Sequence, residues 1–245
     1  MAVILLTGYN AALAQTNSIA KADTSALTNL HLSGFSGIKI GGPFDVHITQ
    51  GSEESVTMQV PEDVKNRITT EVVGGVLKIR KTHDNWGQGE KSWYSDKSVW
   101  RNHKKIIVYI TAKSLNFISM SGSGHITFAE GVNAESLKLR VRGSGVLQGK
   151  IAVKVLKSSI SGSGKIELSG NASSSTTRIS GSGEFAARGL LTANSAVRVS
   201  GSGHAEINAS DKVDAVLHGS ANVNYTGDAK IVNTSKSGSA EVRRF

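Results

Sequence analysis

The sequence predicts an all-β fold, a single-stranded right-handed parallel β-helix with coils of about 19–20 residues, and three observations carry that reading. The first is a recurring tripeptide. Gly-Ser-Gly stands at 122–124, 143–145, 162–164, 181–183 and 201–203, and Gly-Ser-Ala follows at 219–221 and 238–240. The steps between first glycines are 21, 19, 19, 20, 18 and 19 residues. A fixed period of this size marks one structural unit stacked on copies of itself.

The second observation is alternation. Two places before each first glycine stand Met120, Val141, Ile160, Ile179, Val199, Leu217 and Lys236; four places after it stand Ile126, Leu147, Ile166, Phe185, Ala205, Val223 and Val242. Positions three and five after it are mostly polar, as at Lys165, Glu184, Glu167 and Glu206. Period-two alternation is the mark of a strand with one buried face. The third observation is length. Such a unit is too short for a strand and a helix with ordinary loops. It suffices for a coil of two or three short strands joined by tight turns, each pairing with the coil above at about 4.8 Å. Right-handed coiling follows the chirality of parallel connections. The glycines permit positive φ at a corner or bulge. The serine can bond to nearby backbone or to its counterpart one coil away. A Gly-Ser linker would leave the apolar columns without a purpose, and the steps do not follow multiples of six as a hexapeptide helix requires.

Taken in chain order, residues 1–14 read as the remnant of an export signal: an apolar stretch, then Ala12-Leu13-Ala14 before Gln15. A buried strand is the competing reading. Residues 15–33 are rich in Ala, Ser and Thr and read as a flexible N-terminal arm. Residues 34–245 form the β-helix domain. Its opening strands fall at 38–40, 44–48, 56–60, 68–73 and 76–80, separated by turn signals at Gly41-Gly42-Pro43, Gln50-Gly51 and Gly74-Gly75. They read as irregular opening coils of the same helix. An aromatic insertion at 82–103 breaks the pattern, a strand at 106–110 resumes it, and the regular coils start near Asn116. These faces predict that Ile160, Ile179 and Val199 stack inward, so that Ile179→Asp collapses the rod and Thr177→Asp does not.

Charge and ring-bearing residues supply the candidate ligand-binding positions. The chain carries a formal charge of +9, and residues 96–165 hold 12 Lys or Arg against three acids, while the remainder is balanced. Lys138, Arg140 and Arg142 alternate along one strand and should point outward together; Arg178 and Arg198 stand in the same column as Arg140, which Ser159 interrupts. This is either an anion-binding ladder or solvated surface charge paired with Glu167 or Glu206. Trp86, Trp93 and Trp100 recur at seven-residue steps, with Tyr94 beside them. They form either a platform on which sugar faces stack or a cap that covers an end or side of the rod. The final residues, Glu241 to Phe245, pose a similar pair: an open rung through which two copies join as a homodimer, or charges that block such pairing.

Enzyme signatures are missing. Polysaccharide lyases and hydrolases need clustered carboxylates, whereas Glu167, Glu184 and Glu206 are scattered among mixed columns. No Gly-x-Ser-x-Gly elbow and no His-Glu-x-x-His spacing occurs. With no cysteine, thiolate chemistry and disulfides are excluded. No catalytic residue, metal ligand or cofactor is expected, nor a transmembrane helix, since no segment has 18 consecutive apolar residues.

The opening run, Gly34-Phe35-Ser36-Gly37-Ile38 with Gly42-Pro43-Phe44-Asp45-Val46 and Gln50-Gly51, leads into Gly75-Val76-Leu77-Lys78-Ile79 and the serial Ser-Gly-Ser-Gly coils. This resembles the exported family known as putative auto-transporter adhesin, head GIN domain, common in Bacteroidetes, over about residues 33–242. The resemblance implies a right-handed β-helix in the periplasm, at the outer surface or outside the cell, and brings no catalytic residues. The function expected is an exported binding and structural module, adhesin-like, recognising a glycan or another anionic envelope or host polymer, with no specific recognition of nucleic acid. The alternative is a polysaccharide lyase or glycoside hydrolase using a groove on the helix.

Overall fold

The computed structural model describes residues 26–82 and 106–245. The export-signal segment, most of the N-terminal arm, and Trp86, Trp93, Tyr94 and Trp100 lie outside the described residues.

The opening part runs through β1 (Ala26–Asn29), β2 (Gly37–Gly41), β3 (Phe44–Gln50), β4 (Ser55–Val60), a single helical turn α1 (Glu62–Lys65), β5 (Ile68–Val73), β6 (Val76–Lys81), β7 (Ile106–Ala112) and β8 (Phe117–Gly122). The regular coils are β9 (His125–Gly143), β10 (Val146–Gly162), β11 (Lys165–Gly181), β12 (Glu184–Gly201) and β13 (His204–Gly219); β14 (Asn222–Thr226), β15 (Ile231–Ser237) and β16 (Glu241–Arg244) complete the last turns. From β9 to β13 every neighbour is parallel, so the chain is a parallel β-helix. Each of these coils is one bent strand of 16 to 19 residues, where short strands with tight turns were expected. The ladder does not break at the tripeptide. The Ser182 N–H donates to the Gly162 carbonyl and the Glu184 N–H to the Gly164 carbonyl, both at 3.0 Å, and the same pair of bonds recurs coil after coil.

Glycine is required at this corner for two reasons. Gly181 has φ +108°, a region that costs a side-chain-bearing residue about 1–2 kcal/mol. A Cβ there would also stand 2.7 Å from the Gly162 carbonyl oxygen of the coil before it. Unequal coil lengths are absorbed at a different corner. The register shifts between Gly149 and Ile151 and between Glu167 and Ser169, after which the strands return to register before the next tripeptide.

Inside, the expected columns form. Val141, Ile160, Ile179, Val199 and Leu217 are in register and buried, as are Ile126, Leu147, Ile166, Phe185, Ala205 and Val223. One expectation is overturned. Thr177 is fully buried, because it stands two residues from Ile179 on one strand and shares its face. Its column runs Leu139, Ser158, Thr177, Val197, Ala215, beside a second of Leu137, Leu156, Ser175, Ser195, Val213. The hydroxyls of Ser158, Ser175 and Thr177 are buried without a hydrogen-bond partner.

The opening strands join the same sheet but not all as coils. β2 pairs in parallel with β6 and β8, and β3 with β7 and β9. β4 lies antiparallel to β7, and β5 antiparallel to β6 through the two-residue turn Gly74–Gly75, both at positive φ as a hairpin of this length favours. Part of the arm expected at 15–33 is also sheet: β1 pairs antiparallel with β4, and the Leu30 N–H donates to the Val56 carbonyl at 2.9 Å. At the other end β15 is exposed throughout, and Lys236 occupies the inward column directly after Leu217.

The following stability outcomes are read by thermal or urea denaturation. Ile179→Asp and Thr177→Asp each destabilise by more than about 3 kcal/mol, since both bury an unpaired carboxylate; Thr177→Val stabilises by about 1 kcal/mol by removing an unsatisfied hydroxyl. Gly181→Ala lowers stability by at least about 1–2 kcal/mol, the cost of its backbone conformation before the contact with Gly162 is counted. An unchanged midpoint for Gly181→Ala would show that the corner is not under this constraint.

Candidate functional site

The chemistry of the surface is set by residues between the buried columns. Along the sheet formed by β2, β6, β8 and the second halves of β9 to β13, one outward column reads Lys78, Lys39, Ser119, Arg140, Ser159, Arg178, Arg198, Val216. Beside it on one flank stand Lys138, Lys157, Thr176, Ala196 and Asp214; on the other stand Arg142, Ser161, Ser180, Ser200 and His218. Successive positions are one strand spacing apart, about 4.8 Å. The fold therefore gathers Lys138, Arg140, Arg142, Arg178 and Arg198 on a single face, as their alternation suggested. It adds three cations that the sequence reading did not single out, Lys39, Lys78 and Lys157. The triplets Ile38-Lys39-Ile40 and Leu77-Lys78-Ile79 carry a signal for two of them: each places a lysine between two buried aliphatics.

Among the described residues, Lys138, Arg140, Arg142, Lys157, Arg178 and Arg198 form no ion pair with a carboxylate. The acids of this face stand at its ends. Glu71 lies 3.9 Å from Arg80, and Asp214 lies 2.8 Å from Lys212, which holds its carboxyl below the usual range. The field of the cluster registers on Lys39. Desolvation, with Lys78, Arg142 and Arg140 nearby, lowers its pKa from the ordinary lysine value. Arg140, Arg142, Ser159, Ser161, Arg178 and Arg198 line a shallow groove of about 520 Å³ on this face.

Around Lys165 the neighbouring face is neutralised. Lys165 lies 3.2 Å from both Glu184 and Glu167, and its pKa is raised, chiefly by the hydrogen bond to Glu184. His204 lies 3.6 Å from Glu206, and Arg243 2.6 Å from Glu241. Glu167, Glu184 and Glu206, the scattered acids of the outward columns, sit in these contacts, and Glu167 and Glu206 lie two rungs apart with Ala186 between them. No cluster of three metal-ligating side chains occurs among the described residues, and no described helix is long and apolar enough to cross a membrane.

Solved structures share this architecture. A protein described as a putative adhesin from Bacteroides fragilis NCTC 9343 superposes with a TM-score of 0.80 at 22% identity, over 90% of this chain and 96% of that one. A putative adhesin from Parabacteroides distasonis ATCC 8503 gives 0.68 at 24% identity, over 91% and 98%. A putative lipid binding protein from the same organism gives 0.68 at 21%, over 90% and 96%. At these identities the likeness establishes the fold. No curated protein matches the chain. Residues 34–229, the span from the opening strands to the last regular turns, match the family described as "Putative auto-transporter adhesin, head GIN domain", and the chain belongs to that family.

Proposed function

We propose that the protein is an exported, adhesin-like binding module that holds an anionic surface polymer, an acidic glycan of the envelope or of a host, along its arginine face. One observation carries the reading: six cations without carboxylate partners on adjacent rungs of one sheet, whereas Lys165 on the neighbouring face is held between Glu167 and Glu184. Uncompensated positive charge spread along a regular surface attracts a linear polyanion over a distance set by salt, about 8 Å at physiological ionic strength. The family name and the adhesin-named structural relatives agree with a binding role. Glu167 and Glu184 are each held in an ion pair with Lys165, which favours binding over hydrolysis.

The test is titration with polygalacturonate and with dextran sulfate at rising salt. Wild-type affinity falls steeply as salt increases, and replacing Lys138, Arg140 and Arg142 together by Gln weakens it by tenfold or more, roughly the loss of one to two charge-assisted hydrogen bonds. Lys165→Gln, on the neutralised face, leaves it unchanged. Binding that ignores both salt and the triple substitution would reject the arginine face as the site.

A further inference from the structure

Ser159 interrupts a column of long cationic side chains, with Arg140 on the rung before it and Arg178 on the rung after it. A serine between two arginines leaves a notch one rung tall. Arg142 flanks it from the neighbouring column, and Ser161 and Ser180 continue that column beneath it. These residues line the same groove. The notch thus has an arginine on the rung before it and another on the rung after it, a third diagonally across on the rung before, and the serines Ser161 and Ser180 beside and below it, with no ion-paired acid among the described residues to compete for them. Guanidinium groups bind oxyanions through paired N–H donors, and serine hydroxyls add short donors close to the sheet. A planar carboxylate offers two oxygens in one plane. A tetrahedral ester group offers three, directed to three sides, which matches donors arriving from above, below and beside.

We infer that the Ser159 notch is a discrete oxyanion site that takes a sulfate or phosphate ester group carried by the polymer, while the rest of the face attracts the chain by charge. This rests on the binding role proposed for the arginine face and narrows it to a class of substituted glycan.

The two ideas separate because they give opposite signs for one substitution. Ser159→Arg adds a cation and fills the notch; Ser159→Gln fills it without charge. Arginine already occupies the adjacent rungs of this column, so both variants keep the wild-type melting temperature. The probes are inorganic sulfate, inorganic phosphate, dextran sulfate, a phosphorylated dextran and polygalacturonate, followed by calorimetry. Wild type binds the ester-bearing polymers more tightly than polygalacturonate. Both variants lose roughly tenfold or more for those polymers, and Ser159→Arg holds or gains affinity for polygalacturonate. The ester polymer that gains more over polygalacturonate, and the free ion that competes for it, identify whether sulfate or phosphate is the source. If Ser159→Arg binds the ester polymers as tightly as wild type or more tightly, the notch is not a site and the face acts by charge alone. If wild type binds none of the polyanions, the binding role of the face falls, and the notch with it.

Discussion

Backbone pairing from one coil to the next, carried without interruption around the Gly-Ser-Gly corner, is the constraint on which the rest of the molecule depends. Two N–H groups per corner reach the carbonyls of the preceding corner at 2.9 to 3.1 Å along the regular coils. That approach leaves no room for a side chain at the first glycine, where a Cβ would lie 2.5 to 2.8 Å from the carbonyl of the corner before it. Because the corners stack, the strands return to register at every tripeptide despite the shifts at the other corner, and the side chains leading into it are committed to the core or to solvent. The inner columns and the outward cations are two consequences of that one alignment.

What the sequence disclosed, and what it withheld, follows from the same physics. The regular coils were legible because the tripeptide supplies the frame and period two sorts the faces within it. Thr177 departs from the expected face because its spacing of two residues from Ile179 places it in the interior, and period two, applied strictly, is the better guide. The antiparallel strands β4 and β5 carry no repeat, so their direction was not readable. Lys39 and Lys78 are not legible in the sequence as members of this face because nothing local links them to Arg140. The connection runs through the pairing of β2 with β6 on one side and β8 on the other. The four residues Trp86, Trp93, Tyr94 and Trp100 remain a sequence expectation, a cap or a platform, outside the described residues.

The two charged faces show how differently the same residue types behave on one scaffold. Lys165 stands between Glu184 and Glu167 and gains a stabilised charge. Lys39, partly desolvated and with Lys78, Arg142 and Arg140 nearby, finds its charged form disfavoured. These pairs are exposed and contribute little to folding. Their importance is electrostatic: they cancel the field on one side of the rod and leave it standing on the other. A protein with the same net charge spread evenly would present no such directional surface.

Alternation also frees the two sides of each strand from one another. Ser159, Arg178 and Arg198 occupy equivalent positions on successive coils, above a core of Ile160, Ile179 and Val199 that is unaffected by which of them is present. Each outward position is therefore an independent variable, set at intervals of about 4.8 Å along a fixed axis. Mutations there can exchange serine for arginine, or arginine for glutamate, without a cost in packing. The shared fold at 22% identity with the Bacteroides fragilis protein is the outcome such a scaffold allows. The outward surface can change by single-residue steps, while the corner glycines keep the spacing between its positions constant.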